Sequence, residues 1–121
     1  HLATIIQHGV DEFGDGPYAF VVPAIVNNYY SRWWWPEDEK AGKNSNNLLP
    51  WTGQYLDGFH NKITMHAYVN PDSHSSGAGY GLIRFNKGAK EITFECWPRT
   101  VDVTQEGAEQ FTGWPKTVSM E

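Results

Sequence analysis

Five histidines are the side chains of this sequence best suited to transition-metal chemistry, because a neutral imidazole nitrogen is a common metal ligand. They are His1, His8, His60, His66 and His74. None of them has the His-Glu-x-x-His spacing that sets two imidazoles on one helical face. We therefore expect exposed or hydrogen-bonded structural histidines, with His66 facing solvent from the polar side of a strand. In a second interpretation, the amine and imidazole of His1 bind copper, and one of the other four histidines is a further ligand.

Acidic residues cluster at residues 11–12, at Asp15 and at residues 37–39, where paired-carboxylate catalysis or calcium binding can be considered. A calcium loop of the EF-hand type needs Asp-x-Asp-x-Asp-Gly followed by a distal glutamate, and no cluster has that spacing. Clustered acids in turns are usually solvated. We predict no catalytic or metal-binding role for them.

Cys96 is the single cysteine, which excludes an internal disulfide and any multi-cysteine metal site. It alternates with Ile92 and Phe94, so the pattern favours a buried, inert thiol over a nucleophile. Serine catalysis has no nucleophile-elbow motif to support it. No catalytic residue is assigned in this chain.

A cluster of aromatic residues lies between residues 29 and 51. It comprises Tyr29, Tyr30, Trp33, Trp34, Trp35 and Trp51. Aromatic faces in a surface loop suit the stacking of sugar rings. Consecutive tryptophans on an extended backbone alternate faces, however, so at least one of the three must be covered. Docking of this segment against the rest of the protein is the favoured interpretation.

The composition is that of a single globular domain covering residues 1–121. Hydrophobic residues make up 40% of the chain, and 6 Trp, 6 Tyr and 6 Phe supply large apolar area. The formal charge of −5, with scattered lysines and arginines, gives no footprint for nucleic acid. No apolar run approaches the roughly 18 residues of a membrane span, since Pro23 interrupts the candidate at residues 19–26.

The elements that position these residues are predicted to be strands. Residues 62–69 alternate between apolar and polar positions, which indicates a half-buried strand. Residues 81–86 and 91–97 predict an antiparallel hairpin, with Glu91, Thr93 and Glu95 facing outward. Further strands are expected at residues 3–8, 19–25 and 117–120.

No convincing helical stripe is present, and residues 31–53 predict a long irregular loop. The fold class is mainly β, an antiparallel sheet or sandwich built from hairpins with little helix.

A series of short segments resembles the C-terminal end of the alkaline-phosphatase-D-like metallophosphoesterases. In order, they are His1-Leu2-Ala3-Thr4, Gln7-His8-Gly9-Val10-Asp11, Tyr18-Ala19-Phe20, Val22-Pro23-Ala24-Ile25, Arg32-Trp33-Trp34-Trp35-Pro36, Tyr55-Leu56-Asp57-Gly58-Phe59, Asn61-Lys62-Ile63-Thr64, Gly79-Tyr80-Gly81-Leu82-Ile83-Arg84-Phe85, Ile92-Thr93-Phe94-Glu95-Cys96-Trp97-Pro98-Arg99 and Gly113-Trp114-Pro115. Because they run in order along nearly the whole chain, they are more specific than any single motif.

The resemblance implies an exported, periplasmic or extracellular bacterial phosphatase that uses divalent metal ions. It makes His1 a metal ligand and sets Arg32, Trp33, Trp34 and Trp35 at the border of the substrate pocket. In that family the position of His1 follows Gly-Asp-Gln, and further ligands lie earlier, so we expect this chain to bind no catalytic metal alone. The implied partner is the remainder of the phosphatase, and an apolar face left exposed would favour self-association.

The alternative is a non-catalytic β-sandwich module that binds carbohydrate through its aromatic loop. This hypothesis predicts an exposed, coplanar set of Trp33, Trp34, Trp35 and Trp51. The phosphatase hypothesis predicts an apolar edge or face where another part of the protein packs.

Overall fold

The computed structural model describes residues 3–25, 48–69 and 77–120, and within these ranges it contains strands and turns but no helix. Seven strands are present in the described residues. They are β1 (Thr4–His8), β2 (Tyr18–Val21), β3 (Gly53–Leu56), β4 (Lys62–Tyr68), β5 (Gly79–Asn86), β6 (Glu91–Pro98) and β7 (Lys116–Ser119). The prediction of a mainly β fold built from antiparallel strands is confirmed.

The first sheet has four antiparallel strands in the order β2-β1-β4-β3. Strand β1 pairs with β4 through Ile5 opposite Ala67 and Ile6 opposite Met65. His66 therefore has no partner residue of its own, which makes it the extra residue of a β-bulge. Bulges bend a strand locally and change the direction of a side chain.

The second sheet has three antiparallel strands in the order β5-β6-β7. Strands β5 and β6 form the predicted hairpin, with Asn86 opposite Glu91 at the turn. The side chain of Asn86 accepts a hydrogen bond from the backbone N–H of Ala89 and closes that turn. The last predicted strand is also present as β7, shifted by one residue.

The two sheets pack on each other through aromatic side chains and one glycine. Phe20 of β2 makes an edge contact with Phe94 of β6, with ring centroids 5.3 Å apart, and a tilted contact with Trp114 at 5.6 Å. A Cβ on Gly81 would lie 2.7 Å from carbon atoms of both Phe20 and Val22, so this close approach requires glycine. The core then extends over Ala3, Ile5, Leu49, Ala67, Tyr68, Val69, Phe94, Cys96, Trp114 and Val118.

Strand β4 differs from its prediction as a half-buried strand. It lies between β1 and β3, and all seven of its residues are buried or half-buried, including the predicted outward positions Lys62, Thr64, His66 and Tyr68. Tyr68 is fully buried, and its hydroxyl accepts a hydrogen bond from the backbone N–H of Trp51. Alternation indicates that one face of the strand is exposed. An inner strand whose two faces are both covered by other residues has no exposed face.

Glu95 lies on the predicted outward side of β6, away from Phe94 and Cys96, but it is buried there and not exposed to solvent. Its residue is 7% exposed, because the guanidinium of Arg84 and the indole N–H of Trp97 both bind its carboxylate. Arg84 holds the pKa of Glu95 below its usual value, and the Trp97 hydrogen bond adds to this. A buried charge is tolerated where it is paired and hydrogen-bonded.

Strands β3 and β2 also differ from the predictions. Strand β3 was not predicted, and β2 ends at Val21, before the buried Pro23, instead of continuing to residue 25. Proline has no N–H to donate to a neighbouring strand, which accounts for the early end of β2. The described residues contain no helix long and apolar enough to cross a membrane.

Candidate functional site

The space between the two sheets is apolar at one end and polar at the other, and Gln7 marks the change. On β1, Ala3 and Ile5 point into the core, and Gln7 follows at the next inward position with 8% exposure. Its Nε2 donates to the backbone oxygens of Gly14 at 2.8 Å and Gly16 at 3.0 Å. These bonds fix the β1–β2 loop against the sheet.

The β1–β2 loop is held from within by Asp15. Its carboxylate accepts backbone hydrogen bonds from Val10 at 2.6 Å, Asp11 at 2.9 Å and Glu12 at 2.8 Å. These bonds, with that of Val10 first, lower the pKa of the Asp15 carboxyl. The acidic residues of this loop therefore organise a turn, as acids in turns commonly do.

His66 reaches this loop from the bulge in β4. Its Nε2 lies 3.1 Å from Gln7 Oε1. Because Gln7 Nε2 donates to two carbonyl oxygens, Gln7 Oε1 is an acceptor, and the neutral imidazole must carry its proton on Nε2. The second imidazole nitrogen, Nδ1, is then the one with a lone pair.

The surroundings of His66 favour the neutral imidazole. The ring of Tyr18 lies 5.3 Å from the ring of His66, tilted by 45°. Burial is the main cause that lowers the pKa of His66, and the positive charge of Lys116 adds to it. The expectation that His66 faces solvent is therefore wrong: the bulge and the second sheet leave it half-buried.

Beside Gln7 an open cleft of about 520 Å³ lies between the β1–β2 loop and strands β6 and β7. It is lined by Gln7, Gly14, Asp15, Gly16, Tyr18, Ile92, Ser119 and Met120. This volume lies within the range of roughly 300–1,000 Å³ that is typical of small-molecule sites. The lining combines hydrogen-bond acceptors on the loop with apolar groups on the strands.

Thr64 is a second polar residue on the inward side of this sheet. It lies directly opposite Gln7 of β1 and Gln54 of β3, and cross-strand partners share one face of a sheet. Its buried hydroxyl oxygen has no hydrogen-bond partner among the described residues. A row of polar side chains thus crosses the first sheet at this level.

The site residues inferred from the resemblance are His1, Arg32, Trp33, Trp34 and Trp35, and all of them lie outside the described residues. The described ranges contain no group of three or more His, Cys, Asp or Glu side chains placed to hold a metal ion.

Two other residues with predicted roles are described. Trp51 is half-buried and packs against the core, where its backbone binds Tyr68 and Tyr55. Cys96 is fully buried, as predicted, and burial raises the pKa of its thiol to about 12. Such a thiol stays protonated and is a poor nucleophile.

The sequence reasoning missed Gln7 and Tyr18 as members of a site. One signal was available, because Gln7 occupies an inward position after Ala3 and Ile5, where a polar side chain needs hydrogen-bonding partners. The role of Tyr18 could not be found in this way, because it depends on contacts with β4 and β6, which are distant in sequence.

Comparisons of the chain with protein-family profiles, with curated proteins and with solved structures found no match to any of them.

Proposed function

We propose that this chain is the C-terminal region of an exported, metal-dependent phosphoester hydrolase of the alkaline-phosphatase-D-like type. In this proposal the chain supplies a two-sheet scaffold, and catalysis depends on residues of the parent protein that precede it. His1 serves there as one metal ligand, and Arg32 with Trp33, Trp34 and Trp35 borders the substrate pocket. Metal ions would polarise the phosphoryl oxygen and supply hydroxide when bound.

The observation that carries the proposal is the ordered series of resembling segments, because its members also pack on one another. Gly81, in the segment of residues 79–85, lies against Phe20 and Val22 of two earlier segments. Trp114 contacts Phe20 and donates its indole N–H to the backbone oxygen of Tyr68 at 3.2 Å. Segments far apart in sequence therefore pack together in one folded unit.

The surface of β5 gives a second, independent support. Leu82, Ile83 and Phe85 are 41%, 47% and 65% exposed. Neighbouring residues of a strand point to opposite faces, so β5 presents apolar side chains on both sides at the edge of its sheet. Long apolar edge strands are normally covered. The proposal assigns this cover to the preceding part of the hydrolase.

The test uses the intact parent protein expressed from its source gene. We expect it to hydrolyse nitrophenyl phosphate mono- or diesters with added divalent cations, and to lose this activity on treatment with a chelator. His1→Ala should remove nearly all hydrolysis. His8→Ala is the matched control, because His8 is an exposed histidine of β1 with no assigned role.

Three results would contradict the proposal. One is a parent protein whose activity is unaffected by chelators. Another is equal activity of the His1→Ala and His8→Ala variants. The third is a source gene that encodes a parent without any phosphoesterase activity across a panel of mono- and diesters.

A further inference from the structure

We propose that the open cleft beside Gln7 binds a neutral saccharide ring, held between the acceptor-rich β1–β2 loop and the ring of Tyr18. The inference stands apart from the proposed hydrolase, because it rests on the described residues of the cleft alone. It also differs from binding by the tryptophan-rich segment, since the cleft contains no tryptophan among its lining residues.

The loop side of the cleft offers hydrogen-bond acceptors. The backbone oxygens of Gly14 and Gly16 each accept one bond from Gln7, and a carbonyl oxygen has two lone pairs. The carboxylate of Asp15 lines the cleft beside them. Two carbonyl oxygens on one loop therefore keep capacity for donors such as sugar hydroxyls. Gln7 acts as a positioning residue, because both N–H groups of its amide are bonded to this loop.

The strand side of the cleft is mainly apolar. Tyr18 is 36% exposed, while its ring contacts His66 and Phe94 within the protein. Ile92 and Met120 add further apolar groups, and Ser119 is the one polar residue that β7 adds to this side. The C–H face of a pyranose ring packs well on an aromatic ring that also carries a hydroxyl, because Tyr combines an apolar body with a polar end.

The charge at the cleft disfavours an anionic ligand. Asp15 lines it and would repel an anion. Lys116 on β7 lies near enough to His66, the neighbour of Tyr18, for its positive charge to act on that imidazole. A polyhydroxylated ring donates to the loop acceptors without bringing a charge into this mixed field. The cleft volume of about 520 Å³ accommodates one such ring with a neighbour.

The test is a titration of the full chain, labelled with ¹⁵N, with glucose, galactose, mannose, N-acetylglucosamine, maltose and cellobiose. We expect saturable amide shifts at Gly14, Gly16, Tyr18 and Met120 with at least one of these sugars at millimolar concentrations. Tyr18→Ala should weaken that binding by about tenfold, which is the size of effect that a lost aromatic contact gives. Tyr18→Phe should retain most of it.

Phe59→Ala is the matched control, because it removes an exposed aromatic side chain that does not line the cleft. It should leave the affinity unchanged, and the dispersion of the amide spectrum reports whether each variant is folded. The proposal is overturned if no sugar shifts these amides at tens of millimolar. It is also overturned if inorganic phosphate or spermidine shifts them and sugars do not, or if Phe59→Ala weakens sugar binding as much as Tyr18→Ala.

Discussion

The imidazole of His66 and the amide of Gln7 meet across a β-bulge, with His66 Nε2 3.1 Å from Gln7 Oε1. Gln7 Nε2 donates hydrogen bonds to the backbone oxygens of Gly14 and Gly16. The contact with His66 therefore joins the bulge in β4 to the β1–β2 loop. One buried amide therefore connects β1 with the loop that follows it and with β4, which is distant in sequence. Loss of a buried partner leaves the others unsatisfied, which costs more than the bond itself contributes.

The first prediction is a pH dependence of stability that originates at His66. Its folded-state pKa lies below the usual 6.5, mainly because of burial. Above pH 6.5 both folded and unfolded chains hold the neutral ring, and the contribution is complete. As pH falls below 6.5 the unfolded chain takes up the proton first, so stability decreases until pH reaches the folded-state pKa. Urea denaturation at a series of pH values, from pH 7.5 down to the lowest pH at which the chain stays folded, measures how the free energy of unfolding changes with pH.

His66→Gln should flatten that slope, because glutamine does not titrate. His8→Gln is its control, since His8 is exposed on the neighbouring strand and should leave the slope as in the wild type. An NMR titration that places the His66 pKa above 6.5 would contradict the prediction, as would equal slopes for His66→Gln and His8→Gln.

The second prediction concerns the contact between the sheets at Gly81. Gly81→Ala introduces a Cβ 2.7 Å from Phe20 Cζ and Val22 Cγ1, so the sheets must separate or the side chains must shift. We expect a loss of about 1–3 kcal/mol in the free energy of unfolding, as is typical of overpacking. Gly58→Ala is the matched control, because nothing lies within 4 Å of its Cβ position. It should be neutral or slightly stabilising. Equal denaturation midpoints for both variants would refute the packing described here.

The third prediction is that Cys96 reacts with thiol reagents only when the protein opens. The thiol is fully buried and its pKa is raised to about 12, so almost no thiolate is present at neutral pH. Labelling by a disulfide reagent should be slow in buffer and fast in denaturant. Cys96→Ser should cost about 1–3 kcal/mol in stability, because it buries a hydroxyl in an apolar site. Rapid labelling of the folded chain would show that the β6 core is less closed than described.

The hairpin of β5 and β6 could be predicted from sequence because local signals agree there. Alternation over residues 91–97 and a polar, glycine-containing connection each indicate the same pairing. The burial of Cys96 follows from the same alternation. Local signals of this kind need no knowledge of which other strands lie nearby.

Features that depend on distant partners could not be predicted in this way. Glu95 occupies an outward position by alternation, yet Arg84 from the opposite strand and Trp97 cover it. His66 reaches Gln7 and Tyr18 at a point where a bulge interrupts the register between β1 and β4. Strand β3 has weak signals of its own, and pairing with β4 stabilises it. Tertiary context decides each of these cases.

The last prediction separates a chain that packs against a parent protein from one that stands alone. Ile83 on edge strand β5 and Val103 in the β6–β7 connection are both 47% exposed, which makes Ile83→Lys and Val103→Lys a matched pair. In the isolated chain, Ile83→Lys should reduce self-association, because a lysine on an edge strand opposes pairing with another copy. Val103→Lys should not change it. Sedimentation velocity over a concentration series measures this difference.

In the intact parent the same pair should behave differently. If the parent covers β5, Ile83→Lys forces a charge into an apolar contact and lowers the thermal midpoint, whereas Val103→Lys leaves it unchanged. An isolated chain that is monomeric at every concentration would remove the argument for self-association. A parent whose stability is insensitive to Ile83→Lys would show that β5 stays open to solvent, and the apolar surface would then no longer support the proposed hydrolase.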